Sequence, residues 1–284
     1  MLRIAVPNKG ALSEASAHML REAGYHLRSN TKTLVHRDSE NDVEFFYLRP
    51  RDIAVYVGSG ILDLGITGRD LLAESAADAH QIMELGFGAS RFHYASLPGT
   101  FNSVHDLEGK RIATSFPTLV KRHLDEHGVN AHTVKLDGAV EVSIELGVAD
   151  AIADVVETGS TLRQAGLETF GDPIMHSQGV LIARDGVEDK DLPERAHVLL
   201  RRLKSVSVAR TYVMMDYDIR VKDLERATEL TPGLESPTVS TLQDPEWCAV
   251  RSMIKTKDVH AVMDKLYDVG ARAILVTNIG ACRI

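Results

Sequence analysis

Ala151-Ile152-Ala153-Asp154-Val155-Val156-Glu157-Thr158-Gly159-Ser160-Thr161-Leu162 holds the transition that organises this chain. An apolar, β-rich run delivers an acid at Asp154, and a hydroxyl-Gly-x-hydroxyl turn then opens a helix near Thr161. Backbone N–H groups at a helix start, together with the Thr158, Ser160 and Thr161 hydroxyls, suit a phosphomonoester. Gly159 lets the backbone approach it closely. Asp154, just ahead of the turn, is placed to accept hydrogen bonds from ribose hydroxyls. The same residues read equally well as an ordinary strand-to-helix connection capped by Thr158 or Ser160.

Working outward, short β-rich runs alternate with helical patterns, which predicts an α/β fold with parallel-rich sheets. Strands are expected at Arg3–Val6, Val43–Leu48, Leu62–Thr67, Ile82–Leu85 and Phe92–Ser96. Ser13 is read as the cap of a helix carrying Met19, Leu20 and Ala23, and Pro50 as the start of a helix carrying Ile53 and Val57. Lys9, Arg49 and Asp70 each follow a strand, at the carboxyl edge where open α/β sheets bind ligands. Taken singly, Lys9 reads as a solvated loop lysine and Asp70 as a cap or ion-pair partner.

A second unit places strands at Arg111–Thr114, Thr133–Leu136 and Ala151–Val156 and helices at Pro117–His127 and Val140–Leu146. Glu141 sits in the first turn of the latter, where the helix dipole favours a carboxylate; its functional reading pairs it with Asp154 around a sugar or Mg²⁺. Val180–Ala183 returns toward the first unit, leaving a cleft between two lobes. A helix from Asp191 sets Leu192, Ala196, Leu199, Leu203 and Val206 on one face. From Thr211 the order becomes β-α-β-β-α-β, the ferredoxin-like unit.

Composition narrows the function. The 284 residues carry a net charge of −8, against the extended basic surface of a nucleic-acid binder. Aromatic residues are 5%, too few for stacking platforms. No apolar run approaches the roughly 18 residues of a membrane span. The start of the chain lacks a signal-peptide pattern, and the two cysteines form no disulfide framework, so a cytoplasmic protein is expected. His123 and His127 do not form a His-Glu-x-x-His motif, and neither a dinucleotide fingerprint nor a Walker motif is present.

The run from Glu141 through Gly147, Ala149, Ile152 and Asp154 to Thr158-Gly159-x-Thr161-Leu162 closely resembles the long form of the ATP phosphoribosyltransferase family, which opens histidine biosynthesis. The resemblance extends to Pro7-Asn8-Lys9-Gly10, Phe45–Asp52, Gly65–Asp70, Leu85–Gly88 and Thr231-Pro-Gly-Leu-Glu-Ser-Pro-Thr238. It implies two lobes of type II periplasmic-binding-protein kind, 1–90 with 180–210 and 91–179, and an ACT-like regulatory domain over 211–284. The implied reaction joins ATP and phosphoribosyl pyrophosphate with Mg²⁺ as cofactor, in a homo-hexamer built from dimers and inhibited by histidine.

Carried over, Asp154 and Glu157-Thr158-Gly159-Ser160-Thr161 hold the phosphoribosyl group, and Lys9, Gly10, Leu12, Arg49, Asp70, Ser90 and Phe116 line the ATP side. Lys9, Arg49, Glu141 and Asp154 are the expected catalytic set, and the metal ligands stay unassigned. Asp218, Leu234, Ser236, Thr238 and Ala273 are the expected histidine site. Three positions depart from the pattern: Glu157 where small residues are common, Ala11 where short-form relatives often carry arginine, and Phe116 where tyrosine is common. A two-lobed solute sensor is the reading from another class, and the phosphoribosyl loop argues against it.

Overall fold

The computed structural model of the chain describes residues 1–283, apart from the side chain of Asp189. Two compact units are present. The first comprises Met1–Arg21 with Tyr25–His197, and the second Glu22–Gly24 with the chain from Val198 onward.

In the first unit the chain runs β1 (Leu2–Pro7), α1 (Ala11–Glu22), β2 (Val35–Asp38), β3 (Val43–Leu48), α2 (Pro50–Gly58), β4 (Leu64–Gly68), α3 (Arg69–Ser75) and β5 (Ala79–Glu84). It then crosses to β6 (Ser90–Ser96), β7 (Arg111–Thr114), α4 (Pro117–Glu126), β8 (His132–Lys135), β9 (Ala151–Val156), α5 (Ser160–Gln164) and β10 (Glu168–Ser177), and crosses back at β11 (Gly179–Arg184). One sheet has the order β2-β3-β1-β4-β11-β5 and the other β10-β6-β9-β7-β8. β1 is parallel to β3 and β4, and β7 to β8 and β9. β11 and β6, the strands reached by crossing between lobes, run antiparallel to β4 and β9.

Set aside the edge strand β2, and the two sheets share one order. The second, first and third parallel strands come first, then the crossing strand, then the last. This is the type II periplasmic-binding-protein arrangement that the sequence led us to expect. β1 and β4 are buried along almost their whole length, as strands covered on both faces must be. Pro50 occupies the first position of α2, where its missing N–H costs nothing, and Ile53, Ala54 and Val57 turn inward onto Ala5, Val180 and Ile182. In the other lobe Phe92, Tyr94, Ile112 and Phe116 pack with Leu119 and Val120 of α4.

The chain continues through α6 (Glu194–Thr211), β12 (Tyr212–Arg220), α7 (Leu224–Leu230), β13 (Thr238–Thr241), β14 (Trp247–Lys255), α8 (Val259–Val269) and β15 (Arg272–Asn278). The last sheet, β13-β14-β12-β15, is antiparallel throughout and has the ferredoxin-like order. Val213, Met215, Tyr217 and Ile219 alternate inward from β12 onto Ala227 and Leu266 of the two helices. Most of α6 lies in this second unit, whereas the sequence reading gave it whole to the first lobe.

Several elements differ from expectation. The helix expected at Val140–Leu146 is a single 3₁₀ turn, Val140–Ser143. Val140, Val142 and Ile144 are β-branched and Ser143 competes for backbone bonds, so the segment has little intrinsic helicity. α1 begins at Ala11, directly after Gly10 at φ 79°, so Ser13 lies within its first turn and is no cap. Leu192 lies ahead of α6. β2 and β10 were not foreseen. β2, Val-His-Arg-Asp, has no alternating apolar pattern, and β10 contains Gly171-Asp172-Pro173, a turn signal that the structure absorbs as a register shift between Phe170 and Met175.

Arg111 and Asp150 tie the starts of β7 and β9 together. Asp150 accepts from the Arg111 backbone N–H at 2.9 Å and from its guanidinium at 2.8 and 3.2 Å. These bonds hold the Asp150 carboxyl down at about 2. The folded value is depressed, so the stabilisation is full above the ordinary carboxylate range and lost as pH falls through about 2. Asp150→Asn is expected to lower Tm at pH 7 by about 2–4 °C, corresponding to ~1 kcal/mol for a pair this exposed. In thermal unfolding scans the difference from wild type shrinks between pH 4 and pH 2.

Candidate active site

The carboxyl ends of β3, β1 and β4, three neighbouring parallel strands, deliver Arg49, Lys9 and Asp70 to one edge of the first sheet. The Asn8 backbone N–H donates to Leu48 O at 2.8 Å, which sets the Lys9 loop beside the Arg49 turn. Lys9, Gly10 and Arg49 are exposed. The Asn8 side-chain oxygen nearby is buried without a hydrogen-bond partner. Leu12 lies against Gly88, whose added Cβ would stand 3.1 Å from Leu12 Cδ2.

Asp70 is buried, and its carboxylate and backbone are engaged by one residue. Ser177 Oγ donates to Asp70 Oδ1 at 2.8 Å and accepts from the Asp70 N–H at 3.1 Å. A Cβ on Gly68 would collide with Asp70 Oδ1, so glycine there lets the carboxylate fold back. Ser90 pairs with Ser177 across β6 and β10, which places it beside this contact.

In the other lobe β9 ends at Val156, and Glu157, Thr158 and Ser160 stand exposed around Gly159 ahead of α5. Gly159 takes φ 71°, a left-handed conformation that only glycine adopts without strain. Thr158 and Ser160 hydroxyls meet at 3.1 Å. No side chain caps α5, so the ordinary-cap reading of Thr158 or Ser160 does not describe this turn. Glu141, Asp154, Glu157, Thr158, Gly159, Ser160 and Thr161 line one cavity of about 420 Å³.

Asp154 is half-buried, with Oδ1 accepting from the Val155 N–H at 2.8 Å. Burial pushes its carboxyl above the ordinary range. The Glu141 and Asp70 charges add to that push, while the Val155 N–H and the Arg51 charge oppose it. Two further carboxylates and one guanidinium thus act on Asp154 in the first unit. The pairing of Glu141 with Asp154, expected from the sequence, is present as a shared cavity and a mutual charge effect.

Besides Ser177, two residues here escaped the sequence reading. Arg51, in the first turn of α2, donates to Ser115 O at 2.9 Å and Ser115 Oγ at 3.1 Å, and its guanidinium lies 4.6 Å from the centre of the Phe116 ring. A cation in a first turn opposes the helix dipole, and that local misfit was the available signal. Phe116 is buried, with Arg51 over its ring and Phe92 at 5.0 Å in an edge-on contact. The second is His93, directly opposite Asp154 across β6 and β9 and therefore on the same face. Its Nδ1 is buried without a partner. Burial first, then the Arg91 and His176 charges, lowers its ring below the ordinary histidine value, against Asp172. Only the strand register reveals this residue.

The residues expected to bind histidine lie in the second unit. Asp218 is half-buried on β12, opposite Ala249 and Arg272. Ala273 takes φ 50° at the register shift of β15, and Leu234, Ser236 and Thr238 are exposed. The loop bearing them is anchored by Thr231, whose hydroxyl meets Tyr217 OH at 2.8 Å and whose carbonyl accepts from Ser252 Oγ at 2.9 Å.

The first unit is a two-lobed α/β fold of periplasmic-binding-protein type with a hydroxyl-Gly-x-hydroxyl loop at one strand end, and the chain continues into a ferredoxin-like unit. The sequence profile of ATP phosphoribosyltransferase matches residues 49–205, and that of the HisG C-terminal domain matches residues 209–281. The chain belongs to the ATP phosphoribosyltransferase family, which are pentosyltransferases. It is 60% identical to the ATP phosphoribosyltransferase of Pseudarthrobacter chlorophenolicus and 61% to that of Kocuria rhizophila, over the full length of each chain. Among solved structures it is similar to the ATP phosphoribosyl transferase (HisG:HisZ) complex from Thermotoga maritima. That likeness has 28% identity and a TM-score of 0.62, covering 73% of this chain and 98% of that one.

Gly159→Val is expected to strain the loop by about 1–3 kcal/mol and to put a side chain into the cavity that the loop lines. Calorimetric titration with phosphoribosyl pyrophosphate should show affinity reduced at least tenfold, with the far-ultraviolet circular dichroism unchanged.

Proposed function

We propose that this chain joins N1 of the ATP adenine to C1 of the ribose of phosphoribosyl pyrophosphate, giving N1-(5-phosphoribosyl)-ATP and pyrophosphate in the first step of histidine biosynthesis. The observation that carries this reading is Asp154 with the Thr158–Thr161 loop in one cavity, facing Arg51 and Asp70 of the other lobe. Adenine N1 has a free lone pair, so the attack needs no base. A C–N bond forms at C1 as the C–O bond to pyrophosphate breaks, and the electron pair leaves with the pyrophosphate.

What the protein supplies is position and charge. The loop hydroxyls and the backbone at Gly159 hold the 5′-phosphate. Asp154, with Glu141 beside it, holds the ribose hydroxyls and favours positive charge on the ring. Lys9 and Arg49, at the neighbouring strand ends of the other lobe, meet the departing pyrophosphate. Among the described residues no cluster of three His, Cys, Asp or Glu side chains is placed to hold a metal ion. Mg²⁺ is expected to arrive on the pyrophosphate, since it commonly takes one or two protein carboxylates and fills the rest with phosphate and water. Glu141, Asp154 and Glu157 are the carboxylates lining that cavity; Glu141 and Asp154 would hold the ion, which would neutralise charge on the leaving group.

The same reading gives the second unit the role of a histidine sensor, with Asp218, Thr238 and the turn at Ala273 as its contacts. The inhibition then acts by favouring a less active arrangement of the protein. It also assigns a homo-hexamer built from dimers, working in the cytoplasm. No helix of the described residues is long and apolar enough to cross a membrane.

Purified protein is expected to release pyrophosphate only when ATP, phosphoribosyl pyrophosphate and Mg²⁺ are all present, and less of it with added histidine. Release with either substrate alone, or binding of both without release, would overturn the catalytic reading in favour of a sensor. Asp218→Ala should raise the histidine concentration for half-inhibition at least tenfold, and unchanged sensitivity would remove Asp218 from the site. Sedimentation at six times the chain mass is the expected result for the assembly.

A further inference from the structure

Arg51 stands out because it works across the cleft. It belongs to α2 in the first lobe, yet both its hydrogen bonds and its ring contact fall on Ser115 and Phe116 of the second. Its docking point is prebuilt. Ser115 follows β7 directly, and the Phe116 N–H donates to Thr114 Oγ1 at 3.0 Å, which fixes the turn that presents the Ser115 carbonyl. β7 is the parallel neighbour of β9, with Thr114 opposite Ala153. The guanidinium therefore docks one strand away from Asp154. A planar fork that makes two hydrogen bonds and stacks on an aromatic face is a task specific to arginine.

We propose that Arg51 is a positioning residue for phosphoribosyl pyrophosphate, a latch that holds the lobe bearing α2 against the wall carrying Asp154 and the phosphate loop. The inference rests on the phosphoribosyl-transfer reading and adds a residue to it. The latch has two effects. It fixes the spacing between the ribose wall and the strand ends of the opposite lobe, and it brings a cation whose charge acts on Asp154, where a polyanionic substrate must approach. Both act on retention of the substrate, not on the bond change. A second cross-lobe contact, from the Leu119 N–H to Glu74 Oε2 at 2.9 Å, keeps α3 and α4 together in its absence, so a variant at Arg51 loosens the closure without dismantling the fold.

The test compares wild type with Arg51→Gln, Arg51→Lys and Ser115→Ala, each checked by thermal unfolding. Arg51→Gln is expected to raise KM for phosphoribosyl pyrophosphate about tenfold, with kcat and KM for ATP within twofold of wild type. Arg51→Lys keeps the charge but loses the fork and the stack, and should recover about a third of the loss. Ser115→Ala leaves the carbonyl acceptor in place and should cost two- to threefold. A KM for phosphoribosyl pyrophosphate within twofold of wild type in Arg51→Gln overturns the proposal. So does a fall in kcat at unchanged KM, which would place Arg51 at the reacting atoms. Calorimetric titration with phosphoribosyl pyrophosphate alone reads the same effect without turnover. If wild type binds but releases no pyrophosphate, the catalytic reading fails, and the ratio of affinities still decides for or against the latch.

Discussion

Asp70 and Ser177 exchange two hydrogen bonds out of solvent, and the first unit depends on that exchange. Ser177 ends β10, the last strand of one lobe, and Asp70 opens α3 in the other. Around them the Arg69 N–H donates to Gln178 O at 3.0 Å and the Arg69 guanidinium to His176 O at 3.1 Å. The whole passage from His176 to Gln178 is thus fastened to the start of one helix. His176 and Ser177 still pair with β6, but Gln178 lies between the two ladders, and its backbone must find partners elsewhere or pay for its burial. Here α3 supplies them. The returning β11 is thereby held in the register that sets Gly179 opposite Gly68, and the strand ends of both lobes come to one place.

That convergence explains the electrostatics of the cleft. A carboxylate on the surface titrates in the ordinary range, but Asp154 lies part-buried with two further carboxylates acting on it. Such crowding destabilises the charged form and is tolerated where a ligand brings compensating charge or where a cation is docked nearby. Arg51 provides the second. In the proposed reaction a ribose that develops positive charge would provide the first, and groups held in place before the substrate arrives would need no reorganisation.

Much of this was legible in the sequence, for physical reasons that also mark its limits. β3, β7 and β9 were read to the residue because their ends are set by local chemistry: Arg49-Pro50 stops one, and the loop before Pro117 stops another. The turn at Gly159 was legible because a glycine between hydroxyl residues at a strand-to-helix junction marks a left-handed backbone. Arg51, Ser177 and His93 were not. Their partners lie 64, 107 and about 60 residues away in the chain, and nothing in a local pattern reports a contact made by folding. The 3₁₀ turn at Glu141 failed for a different reason: a carboxylate in a first turn is a true signal, but three β-branched residues decided against a helix.

The second unit follows another logic. Three of its candidate residues, Leu234, Ser236 and Thr238, share one loop and the start of β13, with Asp218 and Ala273 on the neighbouring strands, and the loop has one strong anchor. Thr231 is that anchor. Its hydroxyl also donates to Ala227 O at 3.1 Å, so one fully buried side chain ties α7, β12 and, through its carbonyl, β14. A buried polar network of this kind costs stability if any partner is missing, which makes it a rigid reference against which the exposed positions beyond it are held. Ala273 plays a complementary part at the edge strand. Its left-handed backbone shifts the register between Asp216 and Asp218 and leaves Arg272, not a continuation of the ladder, opposite Asp218. A non-glycine residue in that conformation carries strain, which the register shift at the rim of β12 and β15 accommodates.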